Sequence, residues 1–192
     1  MEIKAINFHY DSSAISQAQF LAHMKLYEGY ISKLNEIDEA LLEAPEREKA
    51  NAVYSKYRGL KKGETFCLDS IILHEEYFSN MCAARKKPGP AAAALFDKCF
   101  GGLEGFIKDL TACGLAARGW CVTCYEQRTA RLKNILCDAH DEGIILTSYP
   151  ILVLDVYEHA YFLDYLTDKA AYIKAFIESI NWDVVEIRAS RL

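Results

Sequence analysis

The stretch of sequence that decides the fold is residues 150–182, PILVLDVYEHAYFLDYLTDKAAYIKAFIESINW. It opens with an apolar run at 150–156 that is entered at a proline, a pattern typical of a buried strand. From Glu158 onward, apolar residues recur at the three- and four-residue steps of an amphipathic helix. The stretch therefore predicts a strand that leads directly into helix, with Asp155 and His159 at the junction.

Asp155 and His159 are the first candidate functional residues. Asp155 closes the predicted strand, and His159 lies four residues later in the opening turn of the predicted helix. Their side chains can converge beside the strand end, and such a pair can form half of a metal site. A surface aspartate and a helix-capping histidine would give the same pattern, so the pair alone leaves both interpretations open.

The N-terminal part of the chain has helical patterning. Residues 13–43 have apolar positions at helical spacing without an internal proline. A weaker helical pattern covers residues 46–62 and ends at Gly59 and Gly63, and strong helical spacing returns at residues 64–85. These patterns predict an N-terminal helical hairpin.

A linker candidate follows the hairpin at residues 86–90, KKPGP. Its two prolines restrict the backbone and its glycine permits a turn, so it is the best linker in the chain. We place the domain boundary there, which gives an N-terminal domain of residues 1–88 and a C-terminal domain of residues 89–192.

The C-terminal part begins with helical patterning and continues with short segments that are typical of strands. Residues 91–113 predict one or two helices, with a break or joint at the two glycines 101–102. Residues 119–125, 132–137 and 150–156 are short and rich in β-branched, aromatic or thiol side chains, which predicts three strands. The order of helices, small sheet and helices indicates an α+β protein.

Composition excludes several classes of function. The chain has 192 residues, of which 52% are hydrophobic, and a formal net charge of -5. This charge disfavours binding to nucleic acid or to an anionic membrane, and no apolar run approaches the ~20 residues of a membrane span. The seven cysteines accompany an N-terminus without the features of a secretory signal, so we expect reduced thiols and a cytoplasmic location.

Two further histidines strengthen the case for a metal. His23 and His74 lie in the middle of the two hairpin helices. A lone histidine on an apolar helix face is more often a hydrogen-bonded core residue than a ligand. With Asp155 and His159, however, they complete a set of three imidazoles and one carboxylate, which suits iron or manganese and leaves zinc possible.

Spacing excludes two other metal classes. A di-iron carboxylate bundle needs Glu-x-x-His pairs, but the residues three positions before the histidines of the set are Phe20, Ile71 and Val156. The sequence HEEYF at His74 lacks the second histidine of a zinc-protease helix. The sequence therefore predicts neither of these two classes.

Residues 150–182 closely resemble the C-terminal signature of the iron/manganese superoxide dismutases, whose core motif is Asp-Val-Trp-Glu-His-Ala-Tyr. The resemblance extends over nearly the whole chain. Residues 119–120 are similar to the family's Gly-Trp strand, and residues 73–81, LHEEYFSNM, to its second-ligand helix. The resemblance implies a helical hairpin, an α/β domain with a three-stranded antiparallel sheet, and one metal site between them.

The resemblance also implies a role for each site residue. The metal ligands would be His23, His74, Asp155 and His159, holding one iron or manganese ion per subunit. Tyr30 would be the gateway tyrosine of the site. Seven residues separate His23 from Tyr30, which is almost two helical turns and puts both on one face, although the family's usual spacing is one residue longer.

His140, in the sequence CDAHDEG, is the most informative departure from the family pattern. In much of the family a glutamine reaches the metal's solvent ligand, either from this loop or from four residues before the second ligand. The latter position is Ser70 here, which is too short for that contact. His140 resembles the histidine of some family branches, which implies that it hydrogen-bonds the solvent ligand and tunes the metal's reduction potential.

The activity implied is conversion of superoxide to dioxygen and hydrogen peroxide by alternate reduction and oxidation of the metal. The implied assembly is a homodimer with Glu158 and His159 at the interface, and Lys169 is a candidate for steering the anionic substrate. Two alternatives stay open at this point. One is a metal-binding relative without dismutase activity that serves as a redox or metal sensor, and a weaker one is a zinc hydrolase.

The spacing of Cys121 and Cys124, a Cys-x-x-Cys pair, could suggest zinc binding or thiol redox chemistry. Residues three apart on a strand point to opposite faces, so we expect that these two thiols do not chelate one ion. The seven cysteines are interpreted mainly as small buried apolar residues, with a disulfide or regulatory use as the minority interpretation.

Overall fold

The computed structural model describes residues 2–43, 45–84 and 86–192. Two long helices come first, two shorter helices and a three-stranded antiparallel sheet follow, and helices close the chain, which confirms the predicted α+β class. The helices and strands are α1 Gln17–Leu42, α2 Lys56–Ser79, α3 Pro90–Phe100, α4 Leu103–Ala116, β1 Trp120–Glu126, β2 Arg131–Cys137, β3 Ser148–Asp155, α5 Phe162–Tyr165, α6 Lys169–Glu178 and α7 Trp182–Ala189.

Side-chain caps fix the starts of the two long helices. The hydroxyl of Ser16 accepts a hydrogen bond from the Gln19 amide, and that of Ser55 accepts one from the Arg58 amide. Between the two helices, residues Pro45–Lys49 form a 3₁₀ turn. The α1 helix is the one predicted, trimmed at its N-terminal end.

The α2 helix begins earlier than predicted, at Lys56, and the glycines at 59 and 63 lie inside it. Gly63 is where α1 comes close, since a Cβ atom there would lie 2.9 Å from the Ile37 Cδ1 atom. We interpreted both glycines as a helix end, and that was wrong because Gly63 serves packing rather than termination. The helix ends at Ser79, so the prediction of helix up to about Arg85 was too long, and residue 85 itself lies outside the described residues.

The sheet brings three sequence motifs side by side. Its order is β2-β1-β3, so β1 is the central strand, and both pairings are antiparallel. Trp120 on β1 lies opposite Cys137 on one side and opposite Asp155 on the other. Directly opposed residues point to the same face of a sheet, so the Trp120 indole and the Asp155 carboxylate share a face.

Contacts between α2, β3 and α7 hold the hairpin against the sheet. The Asn80 side-chain oxygen accepts a hydrogen bond from the Val153 amide at 2.8 Å. The Arg188 guanidinium donates to the Ser79 hydroxyl at 2.8 Å and forms an ion pair with Glu76. This network fixes the position of α2, which carries His74, relative to the end of β3, which carries Asp155.

The helical pattern after β3 is divided into several elements. Residues Glu158–Ala160 form a 3₁₀ turn, so His159 stands in this turn and not in the α-helix that the sequence predicted. Helix α6 is capped by Asp168, the residue before it, whose carboxylate accepts a hydrogen bond from the Ala171 amide. Within residues 2–43, 45–84 and 86–192, no helix has the length and apolarity to cross a membrane.

Gly119, directly before β1, is expected to be intolerant of a side chain. A Cβ atom there would lie 2.9 Å from the Cys137 carbonyl oxygen and 2.9 Å from the Tyr157 ring. We expect Gly119→Ala to lower the free energy of unfolding by about 1–3 kcal/mol, because overpacking forces neighbours to move.

The matched control is Gly59→Ala in α2, where no atom lies within 4 Å of the added Cβ. This change is expected to raise the free energy of unfolding by about 0.5–1 kcal/mol, since alanine favours helix over glycine. Urea denaturation of both variants measures the difference. Equal effects would contradict the close approach at Gly119.

Candidate metal centre

Four side chains from four elements converge between the helical pair and the sheet. They are His23 of α1, His74 of α2, Asp155 at the end of β3, and His159 in the 3₁₀ turn, and their candidate ligand atoms all lie within 4.8 Å of one another. From the Asp155 Oδ2 atom, the Nε2 atoms of His23 and His159 lie at 3.2 Å and that of His74 at 4.0 Å. Three imidazole nitrogens therefore surround one carboxylate oxygen.

The donor atoms of this cluster fit a bound cation. The side chains of His23, His74 and Asp155 are fully buried, and that of His159 is 26% exposed. The Nε2 atoms of His23 and His74 have no hydrogen-bond partner, although His23 Nε2 lies close to the carboxylate. Buried polar atoms without a partner are costly, and a metal ion bound by these nitrogens and the carboxylate would satisfy them.

The surrounding backbone orients the ligands. The Nδ1 atom of His74 lies 2.6 Å from the Ser70 carbonyl oxygen, which can only accept, so Nδ1 carries the proton and the Nε2 lone pair faces the cluster. The Oδ1 atom of Asp155 accepts a hydrogen bond from the Tyr157 amide at 2.9 Å, which leaves Oδ2 directed at the histidines.

Gln19 fixes the 3₁₀ turn that carries His159. Its side-chain nitrogen Nε2 donates to the His159 carbonyl oxygen at 2.6 Å, and its side-chain oxygen Oε1 accepts from the Leu163 amide at 3.0 Å. Gln19 is not among the residues that the sequence indicated. Its position four residues before His23, on the same face of α1, is the signal that could have found it.

The electrostatics of the cluster favour a neutral imidazole and an ionised carboxylate. Burial lowers the pKa of His74 to about 3, and the neighbouring His23 acts in the same direction. Burial would raise the pKa of Asp155, but the charge and hydrogen bond of His159, together with the close approach of His23, outweigh it and hold that pKa below its usual value. Both groups are thus in the protonation state that binds a metal.

A second chain of polar groups runs beside the cluster. The indole Nε1 of Trp120 donates to His140 Nδ1 at 2.9 Å, and His140 Nε2 lies 3.1 Å from the Tyr30 hydroxyl. Because an indole can only donate, His140 Nδ1 is the acceptor and its Nε2 carries the proton. His140 therefore donates to the Tyr30 oxygen, and the Tyr30 proton remains free to donate elsewhere.

His140 and Tyr30 stay uncharged in this arrangement. His140 is 2% exposed, and its burial lowers its pKa to about 4. Burial is also the largest effect on Tyr30, whose pKa is raised. The imidazole of His140 is thus neutral, and the phenol of Tyr30 keeps its proton, at neutral pH.

Aromatic rings enclose the polar groups. Phe78 lies 5.0 Å from the His23 ring, Trp120 lies 5.0 Å from the His74 ring, and Tyr157 stacks on His159 at 5.1 Å, all between ring centroids. Rings at these positions limit the access of water and keep the site apolar around its donors.

Comparison with known proteins identifies the family. A family model described as "Iron/manganese superoxide dismutases, C-terminal domain" matches residues 88–188. An iron superoxide dismutase of Aquifex aeolicus is 39% identical over 178 residues, which cover 91% of this chain and 84% of that protein. The chain belongs to the iron/manganese superoxide dismutase family. A manganese superoxide dismutase of Halobacterium salinarum is 33% identical over 162 residues, 84% of this chain and 79% of that protein.

The family membership confirms the predicted enzyme class and cofactor. This chain is a superoxide dismutase, an oxidoreductase of the iron/manganese type, and iron or manganese is the metal for its His/His/Asp/His cluster. The donor set described above, with its unpartnered nitrogens facing one carboxylate, agrees with that assignment.

Lys169, the lysine that the resemblance suggested for substrate steering, contacts the backbone at the end of α4. Its ammonium donates to the carbonyl oxygens of Ala117 at 2.5 Å and Leu115 at 3.5 Å, so it binds the carbonyls at the C-terminal end of α4. Two other lysines, Lys25 and Lys33, line an open groove that also contains Tyr30 and Phe66.

Proposed function

We propose that this chain dismutes superoxide with one iron or manganese ion held by His23, His74, Asp155 and His159. The convergence of three imidazole nitrogens on one carboxylate oxygen carries this proposal. The bound metal supplies one-electron redox chemistry, since it can accept an electron from one superoxide and give one to another. Over one cycle two superoxide anions and two protons become one dioxygen and one hydrogen peroxide.

We also propose that Tyr30 and His140 hold the protons that this reaction consumes. The support is the ordered chain in which Trp120 donates to His140 and His140 donates to Tyr30. Tyr30 is half-buried and lines the groove, and its ring centroid lies 5.6 Å from that of His74, so its side chain connects the groove to the cluster. His140 orients this hydroxyl and takes part in restoring its proton after donation.

We assign the chain to a branch of the family in which histidine replaces the active-site glutamine. His140 supports this assignment, because its ring lies between Trp120, Tyr30 and Phe66 and its centroid is 5.9 Å from that of His74. Ser70, at the alternative glutamine position, contributes its carbonyl oxygen to His74.

Lys25 and Lys33 are proposed to attract the substrate. The substrate is an anion and the protein has a net charge of -5, so attraction requires a local positive potential. The double change Lys25→Glu with Lys33→Glu is expected to lower kcat/KM by about tenfold, the low end of the range for electrostatic steering, and to flatten its decrease with salt.

The control for this prediction is Lys174→Glu, an exposed position on α6 outside the groove. Stopped-flow measurement of superoxide decay at several salt concentrations compares the variants. A control that loses as much activity as the double variant would show that net charge, not the groove, governs the rate.

We propose that the protein is a homodimer with Glu158 and His159 at its interface. Glu158 is exposed, and the next turn presents Phe162 at 42% and Leu163 at 61% exposure, which is apolar surface suited to a partner. A symmetric interface allows Glu158 of each subunit to reach His159 of the other. The two sites would thereby be linked through a ligand.

Glu158→Ala is expected to shift the protein from dimer to monomer, because each interface loses two symmetry-related bridges. Sedimentation velocity measures the change, and Glu104→Ala, an exposed position on α4, is the control.

Two further parts of the proposal concern domains and location. We propose a domain division at residues 88/89, supported by the start of the family match at residue 88. We also propose a cytoplasmic location, supported by the seven free cysteines.

A further inference from the structure

Two thiols are neighbours on the side of the sheet that faces α4. Cys113 stands in the last turn of α4 and is half-buried, whereas Cys121 on β1 is fully buried. Cys121 Sγ lies 3.8 Å from the Leu110 carbonyl oxygen, so its side chain points at α4. Cys113 lies three residues after Leu110 on the same face of α4, so its thiol is next to that of Cys121, and each thiol shifts the pKa of the other.

This pair is separate from the metal centre. Cys121 lies opposite Leu154 on β3, and its neighbour Trp120 lies opposite Asp155. Adjacent strand residues point to opposite faces, so the Cys121 thiol faces α4 while the Trp120 indole faces the metal ligands. The dismutase mechanism uses neither thiol.

We propose that Cys113 and Cys121 form a peroxide-sensitive dithiol, in which Cys113 is the attacking thiol and Cys121 the resolving one. The oxidant is hydrogen peroxide, which is the product of the dismutase reaction. Burial divides the roles, because only Cys113 is reachable from solvent, while Cys121 can act on a neighbouring sulfur without any access of its own.

The electrostatics agree with this order of reaction. The neighbouring Cys121 thiol is the largest effect on Cys113 and lowers its pKa, while the Cys113 thiol and burial raise the pKa of Cys121 well above its usual value. The thiolate, which is the nucleophile, therefore forms first at Cys113.

The chemical steps balance. The Cys113 thiolate attacks one oxygen of hydrogen peroxide, an S–O bond forms, the O–O bond breaks, and the leaving hydroxide takes a proton to become water. The Cys121 thiol then attacks the sulfenic sulfur, an S–S bond forms, the S–O bond breaks, and a second water leaves with the thiol proton. Two thiols and one peroxide give one disulfide and two waters, with two electrons passing from sulfur to oxygen.

The disulfide would connect the end of α4 to the residue beside Trp120. Because the Trp120 indole donates to His140, this connection lies one residue from the polar chain of the active site. Through this disulfide, the hydrogen peroxide that the reaction produces would constrain β1, the strand that carries Trp120.

The test treats the metal-loaded full chain with hydrogen peroxide and blocks free thiols with iodoacetamide. Reduction and a second label, N-ethylmaleimide, then mark the cysteines that were linked, and peptide mass mapping locates them. We expect the second label on Cys113 and Cys121, a loss of two hydrogen atoms in intact mass, and reversal by dithiothreitol. Cys99 is the internal control, because it is also half-buried but its sulfur accepts from the Leu132 amide.

Variants separate the two roles without depending on disulfide formation. In Cys121→Ala, peroxide should leave Cys113 as a sulfenic acid that dimedone traps, whereas in Cys113→Ser neither residue should be modified. Equal labelling of Cys99 and Cys113 in the unchanged protein, or oxidation of Cys113 without a link to Cys121, would overturn the proposal. Because peroxide is added directly, the result is independent of superoxide turnover.

Discussion

Replacing His23 by alanine is expected to release the metal from the protein. His23 contributes a fully buried Nε2 atom 3.2 Å from Asp155 Oδ2, and α1 offers no other histidine that could take its place. Loss of a coordinating residue should reduce metal affinity by more than the about 10–100-fold that loss of a supporting residue causes. Superoxide turnover should fall with the metal content, which elemental analysis after dialysis measures.

His9→Ala is the matched control for this experiment. It removes the same side chain from an exposed position outside the cluster, so metal content and turnover should stay unchanged. Normal metal loading in His23→Ala would mean that α1 contributes a different ligand or none. The assignment of His23 as a metal ligand, seven residues before Tyr30 on the same helix face, would then be wrong.

The second large effect is expected at His140, where alanine should lower turnover while metal binding stays intact. His140 lies outside the four-residue cluster, but it connects Trp120 to Tyr30. Removing it leaves a buried indole N–H without its acceptor and the Tyr30 hydroxyl without its donor. We expect turnover to fall about 10–100-fold, the range for loss of a residue that supports a metal site.

A second variant and a second readout distinguish positioning from general damage. His140→Gln can still accept from Trp120 and donate to Tyr30, so it should keep more activity than His140→Ala. The metal's reduction potential should shift in His140→Ala but not in a destabilised variant away from the site, such as Val185→Ala in the buried face of α7. Unchanged turnover and unchanged reduction potential in His140→Ala would mean that His140 has no positioning role and is only a loop residue.

The fold could be predicted where local chemistry and tertiary packing agree. The apolar run at 150–156 and the helical spacing at 13–43 correspond to β3 and α1, since each pattern matches the face that the element buries. The start of α2 could not be predicted in this way. Gly63 has the same local signature whether it ends a helix or lets Ile37 approach, and only the position of α1 decides between them.

The residues of the candidate site also differ in how far the local sequence could predict their positions. Asp155 and His159 are four residues apart, so their meeting follows from local geometry, but the arrival of His23 and His74 depends on how α1 and α2 pack. Residue types and the family resemblance indicated those two. The hydrogen bonds of Gln19 to the turn at His159 connect residues 140 positions apart in sequence, and no local pattern specifies them.

The most direct test of the central claim joins two measurements on one sample of purified protein, metal content and superoxide turnover. The account predicts about one iron or manganese ion per chain, as four converging ligands imply, together with superoxide decay whose rate is proportional to that metal content. Full loading with iron or manganese without superoxide turnover would contradict it, and would favour a metal-binding relative that acts as a redox or metal sensor.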